Sequence, residues 1–289
     1  MTAWVRRYGM RLGAARFVAG ESLDECVRVL RGLNARGLKT NTTLLGEGLT
    51  EEALIRAVVE QYVVILDRIR QEGLRCNVAL KLTHLGLDRG VDVAYGHVAH
   101  LVQYAAGLGN FIRIDMEDSG RTDATLEIYR RLRADGLDNV GTALQSYLYR
   151  SEADLEALLP YRPNLRLVKG AYLEPPTVAF PKKADVDRNY IKLAERALAD
   201  GGYTAIATHD DRIIHHVIDF VRTHGIGPER FEFQMLYGVR PQLQLDLVAQ
   251  GYQVLVATPF GSDWYPYFMR RLAERPANVL FVLRNLLRH

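Results

Sequence analysis

The chain has 289 residues, 48% of them hydrophobic and 25% charged, a composition that supports an ordinary globular fold with a sizeable core. Its 37 basic and 34 acidic residues are scattered, so the net charge of +3 builds no basic stripe for nucleic acid. No stretch approaches the roughly 18 uninterrupted apolar residues of a transmembrane helix, and two cysteines, Cys26 and Cys76, are too few for a disulfide framework or a zinc site.

In chain order, the first residues carry Arg6, Arg7 and Arg11 but lack the long apolar region and small-residue cleavage site of a signal peptide. A cytoplasmic protein with reduced thiols is expected. The basic ends, residues 6–16 and 284–288, suit either peripheral lipid contact at the inner face of the membrane or a solvated helix face. Residues 1–36 are read as an N-terminal helical segment, with a helix from about Ser22 to Ala35 spaced to cover one mouth of the domain that follows.

Residues 37–289 then repeat one pattern, a short apolar, β-branched run followed by a polar turn and a segment of helical spacing. The runs lie at 38–45, 76–82, 111–116, 140–146, 165–171, 204–208, 230–236 and 253–258. Helix starts are marked by Thr50 before Glu51 and Glu52, by Thr122 before Asp123, by Ser151 with Asp154 three residues on, and by Pro241 in a first turn. In the segment after the sixth run, Ile213, Ile214, Val217, Ile218 and Val221 make one apolar stripe, which turns His215 and His216 toward solvent and away from any metal role.

Eight alternating strand and helix units predict an α/β fold, a single (β/α)8 barrel of parallel strands. The rival open sheet would bring a Gly-x-Gly-x-x-Gly turn after its first strand, and none is present. In a barrel, chemistry gathers at the C-terminal strand ends.

Side chains alternate along a strand, so Ala79, Lys81 and Thr83 share one face, as do Arg113, Asp115 and Glu117 on the next. Lys81 and Asp115 are expected to pair, either as part of a site or as a structural ion pair. The fifth run reads Arg166-Leu167-Val168-Lys169-Gly170-Ala171-Tyr172, two cations beside small residues that let a planar ligand approach the backbone. Gln145, Thr208, His209, Gln234 and Leu236 complete a ring suited to a large polar heterocycle. On the last barrel helix, Tyr267, Arg270, Arg271 and Glu274 lie at i, i+3 and i+4 spacings; paired arginines can fork onto a carboxylate, or simply form a solvated face.

Together these segments, with Ala207-Thr208-His209, Phe231-Glu232-Phe233-Gln234-Met235-Leu236-Tyr237-Gly238 and Tyr267-Phe268-Met269-Arg270-Arg271-Leu272, resemble the proline dehydrogenase family, including the dehydrogenase domain of bifunctional proline-utilisation enzymes. The resemblance spans residues 44–281. It implies a distorted barrel with non-covalent FAD on its C-terminal face, and oxidation of L-proline to 1-pyrroline-5-carboxylate with electrons passed to a membrane quinone. No second dehydrogenase is fused, so a separate pyrroline-5-carboxylate (glutamate semialdehyde) dehydrogenase is the implied recipient of the product.

By resemblance Arg270 and Arg271 clamp the substrate carboxylate, Lys81 assists there, Asp115 organises the site, and Tyr267 and Leu236 pack on the ring. Gln145, Arg166, Val168, Lys169, Gly170, Ala171, Tyr172, Lys183, Thr208, His209, Gln234, Leu236 and Glu274 hold the flavin. Glu47 is implied as an acidic gate partner for Arg270, against a plain surface glutamate. One departure stands out: the family commonly carries tyrosine two residues before Pro259, where this chain has Ala257, leaving a gap beside the substrate. Two other readings compete, a flavin barrel resembling methylenetetrahydrofolate reductase and a catalytically silent barrel kept for binding.

Overall fold

A computed structural model describes residues 13–274, with side chains through Arg271. Its eight strands, β1 (Lys39–Leu44), β2 (Cys76–Leu80), β3 (Ile112–Ile114), β4 (Val140–Gln145), β5 (Asn164–Val168), β6 (Tyr203–Ala207), β7 (Phe231–Leu236) and β8 (Val254–Phe260), pair in parallel in sequence order, and β8 returns to β1 to close the barrel. The expected (β/α)8 architecture is therefore the one observed. Several strands are shorter than their apolar runs. Gly170, at φ 114, turns the chain out of the sheet after β5, and Leu82–Leu85 coil into a 3-10 turn after β2.

The helices are α1 (Leu23–Ala35), α2 (Glu52–Gln71), α3 (Val91–Gly107), α4 (Thr122–Ala134), α5 (Ser151–Leu158), α6 (Lys183–Asp200), α7 (Asp211–Thr223), α8 (Pro241–Ala249) and α9 (Trp264–Glu274). Helix α7 buries Ile213, Ile214, Val217, Ile218 and Val221, each such side chain contributing about 1.5–3 kcal/mol before entropy is counted. His215 is exposed, and His216 lies 2.7 Å from Glu195 Oε1. Pro241 occupies the first turn of α8 as expected. Three other start signals shift by one residue: Glu51, Arg121 and Arg150 take the caps, and Thr122 and Ser151 are already helical. The Ser151 hydroxyl instead donates to the Gln145 carbonyl, so a tertiary tie to the end of β4 replaces a local cap.

The expectation that the first helix covers the N-terminal mouth is corrected. Ser22 caps α1 in a reciprocal box with Glu25, and the apolar side of the helix (Cys26, Leu30, Leu33) joins the shell packed on the outside of the sheet. Cys26 Sγ sits 3.3 Å from Thr42 Oγ1 on β1, and Asp24 accepts from Arg68 of α2 at 2.8 Å. Helix α1 thus stands in the outer ring beside β1 and β8. Among the described residues the N-terminal mouth forms a cavity of about 590 Å³ lined by Lys39, Asn77, Arg113, Tyr203 and Glu232, among others.

The last described helix is placed differently. Trp264 Nε1 donates to Glu21 Oε1 at 2.7 Å, and Trp264 and Phe268 pack with Phe17, seating α9 on the segment that leads into α1. Its next residues lean over the C-terminal ends of the strands. Among the described residues no helix is long and apolar enough to cross a membrane. Of the basic stretch at residues 6–16, residues 6–12 lie outside the described residues, as do all of 284–288 and the side chain of Glu274.

Candidate active site

The strand registers align Asn41 with Asn77, Arg113 with Ala79 and Gly141, and Arg166 with Ala143 and Ala205; Ala205 in turn aligns with Glu232. Apart from the neighbouring Asn41 and Asn77, large charged side chains from β2 to β7 therefore alternate with alanine and glycine, whose small size leaves room for them. The result is a polar barrel interior. Arg113, 2% exposed, donates from Nη1 to the Thr142 and Asn164 carbonyls at 3.0 and 2.7 Å.

Above this layer opens a cleft of about 490 Å³, within the range of small-molecule and cofactor sites. It is lined by Lys81, Asp115, Gln145, Arg166, Val168, Lys169, Gly170, Ala171, Tyr172, Lys183, Thr208, His209, Gln234, Leu236, Ala257, Tyr267, Arg270 and Arg271. The structure thus gathers nearly every residue singled out from the sequence. Glu47 lines an adjoining recess with Lys81, Tyr267 and Arg270.

The pairing of the charges differs from the expected one. Lys81 does not pair with Asp115: its ammonium contacts Glu47 Oε2, and Asp115 Oδ1 accepts from Arg166 Nη1. The physical reason is reach. Lys81 extends upward from the end of β2 to the loop after β1, whereas the guanidinium on β5 crosses the barrel to Asp115 with its flat fork.

Glu47 also accepts from Arg270 Nη1 at 3.0 Å. Burial alone would raise its carboxyl, but Lys81 and Arg270 outweigh that and hold it below the ordinary value. Its loop is pinned by Leu49 N–H donating to Thr83 O at 3.0 Å, and Gly46 lies so close to the buried His84 ring that a Cβ there would come within 2.3 Å of Nε2. Thr83 is held in turn by Glu117, which accepts from its amide at 3.0 Å and its hydroxyl at 2.6 Å.

Arg271 is buried with its guanidinium 5.1 Å from the Tyr267 ring centroid, a cation-π geometry that keeps both side chains extended into the cleft. On the opposite side, Lys169 donates to Asp187 at 2.6 Å and Asp210 at 2.9 Å, and Lys183 contacts the same two carboxylates. Although burial acts upward on Asp210, these lysines lower its carboxyl to about 2. His209 Nε2 accepts the Leu236 amide at 3.0 Å, so in the neutral ring the proton resides on Nδ1.

One feature suits a heterocyclic cofactor. Gln145 donates Nε2–H to the Glu117 carbonyl at 3.1 Å, and its Oε1 is buried at the cleft without a hydrogen-bond partner among the described residues. An acceptor left so calls for a donor on a ligand. Gly170 packs its backbone against Tyr147, where a Cβ would come within 2.3 Å of the ring. Arg166 supplies donors on the same side.

Sequence reasoning did not assign roles to Asn41, Glu117, Asp187, Asp210 or Glu232. The signal for Asp187 was its i, i+4 spacing from Lys183, and for Asp210 its place as the N-cap of α7 directly after Thr208 and His209.

The family model described as proline dehydrogenase matches residues 26–284. The proline dehydrogenase of Deinococcus radiodurans is 46% identical over 279 residues, covering 95% of this chain and 90% of that protein. Proline dehydrogenase 1 of Bacillus subtilis (strain 168) is 42% identical over 288 residues, covering 100% of this chain and 95% of that protein. In structure, proline utilization A from Bdellovibrio bacteriovorus, inactivated by N-propargylglycine, superposes with a TM-score of 0.86 at 23% identity. That match covers 94% of this chain and 33% of the other, and it supports the barrel fold.

Proposed function

Because the chain belongs to the proline dehydrogenase family, we propose that it oxidises L-proline to 1-pyrroline-5-carboxylate, with FAD as the hydride acceptor and a membrane quinone as the final oxidant. The observation that carries this reading is the convergence of Arg270, Arg271 and Lys81 at one side of the cleft, opposite the Gln145, Arg166 and Gly170 surface.

In this assignment Arg271 and Arg270 fork onto the proline carboxylate, with Lys81 adding a third positive charge. Tyr267 and Leu236 press on the apolar ring carbons, so carboxylate and ring together fix which ring face meets the cofactor. Glu47, by holding Lys81 and Arg270, is the gate that closes the water-side edge over bound substrate.

Arg166, Gln145, Gln234, Gly170 and Ala171 would hold the flavin ring. Val168, Tyr172, Thr208 and His209 would line its path, with Lys169 and Lys183 toward its phosphates and Glu274 as a further contact. When bound, FAD supplies a two-electron acceptor for the hydrogen on the ring carbon next to nitrogen. The amine must be unprotonated for its lone pair to assist, and closing the cleft against water favours that neutral form. Electrons would leave through peripheral contact with the membrane, and the imine or its hydrolysed semialdehyde would pass to a separate glutamate semialdehyde dehydrogenase.

The arginine pair over the cleft and the family match weigh against the methylenetetrahydrofolate reductase-like and silent-barrel readings. The test is anaerobic: protein reconstituted with FAD should bleach on adding L-proline and not on adding NADH. A protein that takes up no FAD, or whose flavin is reduced only by NADH, rejects the proposal.

A further inference from the structure

Arg166 is the cation that crosses the barrel beneath the cleft, and its orientation is specified from the far end of the barrel. Its Nε donates to Gln234 Oε1 at 2.6 Å, while Gln234 Nε2 donates to Glu232 Oε1 at 2.7 Å. All three side chains are nearly sealed from solvent, with exposures of 7%, 3% and 4% for Arg166, Gln234 and Glu232. They meet because β6, the strand between them, offers only Ala205 and Ala207 at the aligned positions.

The chain of bonds has a direction. A carboxylate only accepts and a guanidinium only donates, whereas an amide does one at each end. With Glu232 below and Arg166 above, Gln234 has a single arrangement that satisfies both. Flipping the amide would set its NH2 against the Arg166 N–H and its oxygen against the Glu232 carboxylate, losing two buried, charge-assisted bonds at once. With Nε so fixed, the remaining fork is aimed at Asp115 through Nη1 and at Asn41 Oδ1 through Nη2, the latter at 3.3 Å.

Glu232 lines the N-terminal cavity rather than the cleft, with Lys39 Nζ 4.0 Å from its second oxygen. We propose that Glu232 is a positioning residue for the reaction: through the amide of Gln234 it sets the attitude of the Arg166 guanidinium under the cofactor side of the cleft. The inference rests on the functional reading above for the role of Arg166, and on hydrogen-bond chemistry alone for the relay.

Four full-length proteins test it: wild type, Glu232→Leu, Glu232→Gln, and the exchange of both residues, Glu232→Gln with Gln234→Glu. In the exchange, the amide introduced at the lower position donates to the carboxylate introduced at the upper one, and that carboxylate accepts from Arg166. Net charge and the bond from Arg166 are kept, while the second bond reverses and runs from residue 232 to residue 234. The direct readout is hydrogen exchange of the Arg166 Nε–H, followed by NMR with arginine side-chain labelling and assigned with Arg166→Lys.

Glu232→Leu is expected to speed that exchange about tenfold or more and to lower kcat by a similar factor. The proline KM should stay within about twofold, because the carboxylate clamp lies elsewhere. The double exchange should restore Nε–H protection, and Glu232→Gln, whose neutral Oε1 still accepts from Gln234 Nε2, should fall between wild type and Glu232→Leu. If Glu232→Leu does not fold, Glu232→Gln decides, because it weakens the acceptor by removing its charge, and wild-type Nε–H protection and kcat in that variant overturn the proposal. Wild-type protection and kcat in Glu232→Leu, with only thermal stability lost, also overturn it by reducing Glu232 to a structural role. Should the wild type take up no FAD, the functional reading falls while the exchange measurement still judges the relay.

Discussion

Arg270 Nη1 donates to Glu47 Oε1 at 3.0 Å, joining residues 223 positions apart across the edge of the cleft. The same carboxylate holds Lys81, so one acidic side chain on the loop after β1 bridges two of the three cations proposed to bind the substrate carboxylate. Substituting Glu47→Ala is expected to weaken proline affinity and slow flavin reduction while leaving FAD bound. Because Glu47 is a third exposed, its pairs should add at most about 1 kcal/mol to folding stability. Its lowered folded pKa means that this contribution is complete above the unfolded value of about 4.3 and disappears as pH falls through the folded value. Stopped-flow reduction across pH checks the gate: unchanged affinity and reduction rate in Glu47→Ala would remove it.

Arg271→Met should retain flavin and lose proline turnover. The residue is 8% exposed, and without its guanidinium the substrate carboxylate would enter a partly desolvated pocket short of a charge-assisted partner. A deficit of about 1.5–3 kcal/mol is expected, seen as a fall of about 10- to 100-fold in kcat/KM. Wild-type steady-state kinetics would show that Arg271 does not hold the carboxylate.

His84 should govern acid sensitivity of the loop it supports. Burial first, and the charge of Lys81 next, bring its folded pKa from 6.5 down to about 4 against the opposing pull of Glu47. The folded protein keeps the ring neutral, so between those values the unfolded chain binds more protons. This contribution is full above pH 6.5 and is lost as pH falls toward about 4, with an upper limit of about 3 kcal/mol. Denaturant unfolding at a series of pH values should give a shallower acid-side loss for His84→Leu than for wild type. Parallel curves would place the acid sensitivity in other groups.

Ala257 lies in register with Asn41 on β1 and Leu236 on β7 and lines the cleft. Where the resemblance leads one to expect tyrosine, this chain places only a methyl group in the cleft. Ala257→Tyr is expected to tighten proline binding by about 1–3 kcal/mol and to raise the preference for proline over 4-hydroxyproline, since the added ring would fill the space a hydroxyl otherwise enters. Both substrates assayed in parallel give the answer; if neither affinity nor preference moves, the space is not beside the bound ring.

Strand number, strand order and the residues at the strand ends were legible in the sequence, because each is written in short-range patterns. A β-branched run followed by helical spacing, eight times over, leaves a closed parallel barrel as the natural arrangement, and position at a strand's C-terminal end carries Lys81, Gln145, Thr208 and Leu236 to the cleft. What the tertiary structure alone decided is who faces whom. Lys81 and Asp115 sit on adjacent strands, yet each finds a better partner, Glu47 on a loop and Arg166 across the barrel. Helix α1 lies along the outer wall, and α9 leans over the cleft, because their apolar faces meet surfaces distant in sequence. Glu232 reads locally as one polar residue in an apolar strand; its bond to Gln234, and through it to Arg166, exists only after barrel closure brings β5 and β7 to either side of two alanines. Periodicity reports the face on which a side chain lies, whereas the pairing of charges depends on reach and register across strands, which no local stretch of sequence contains.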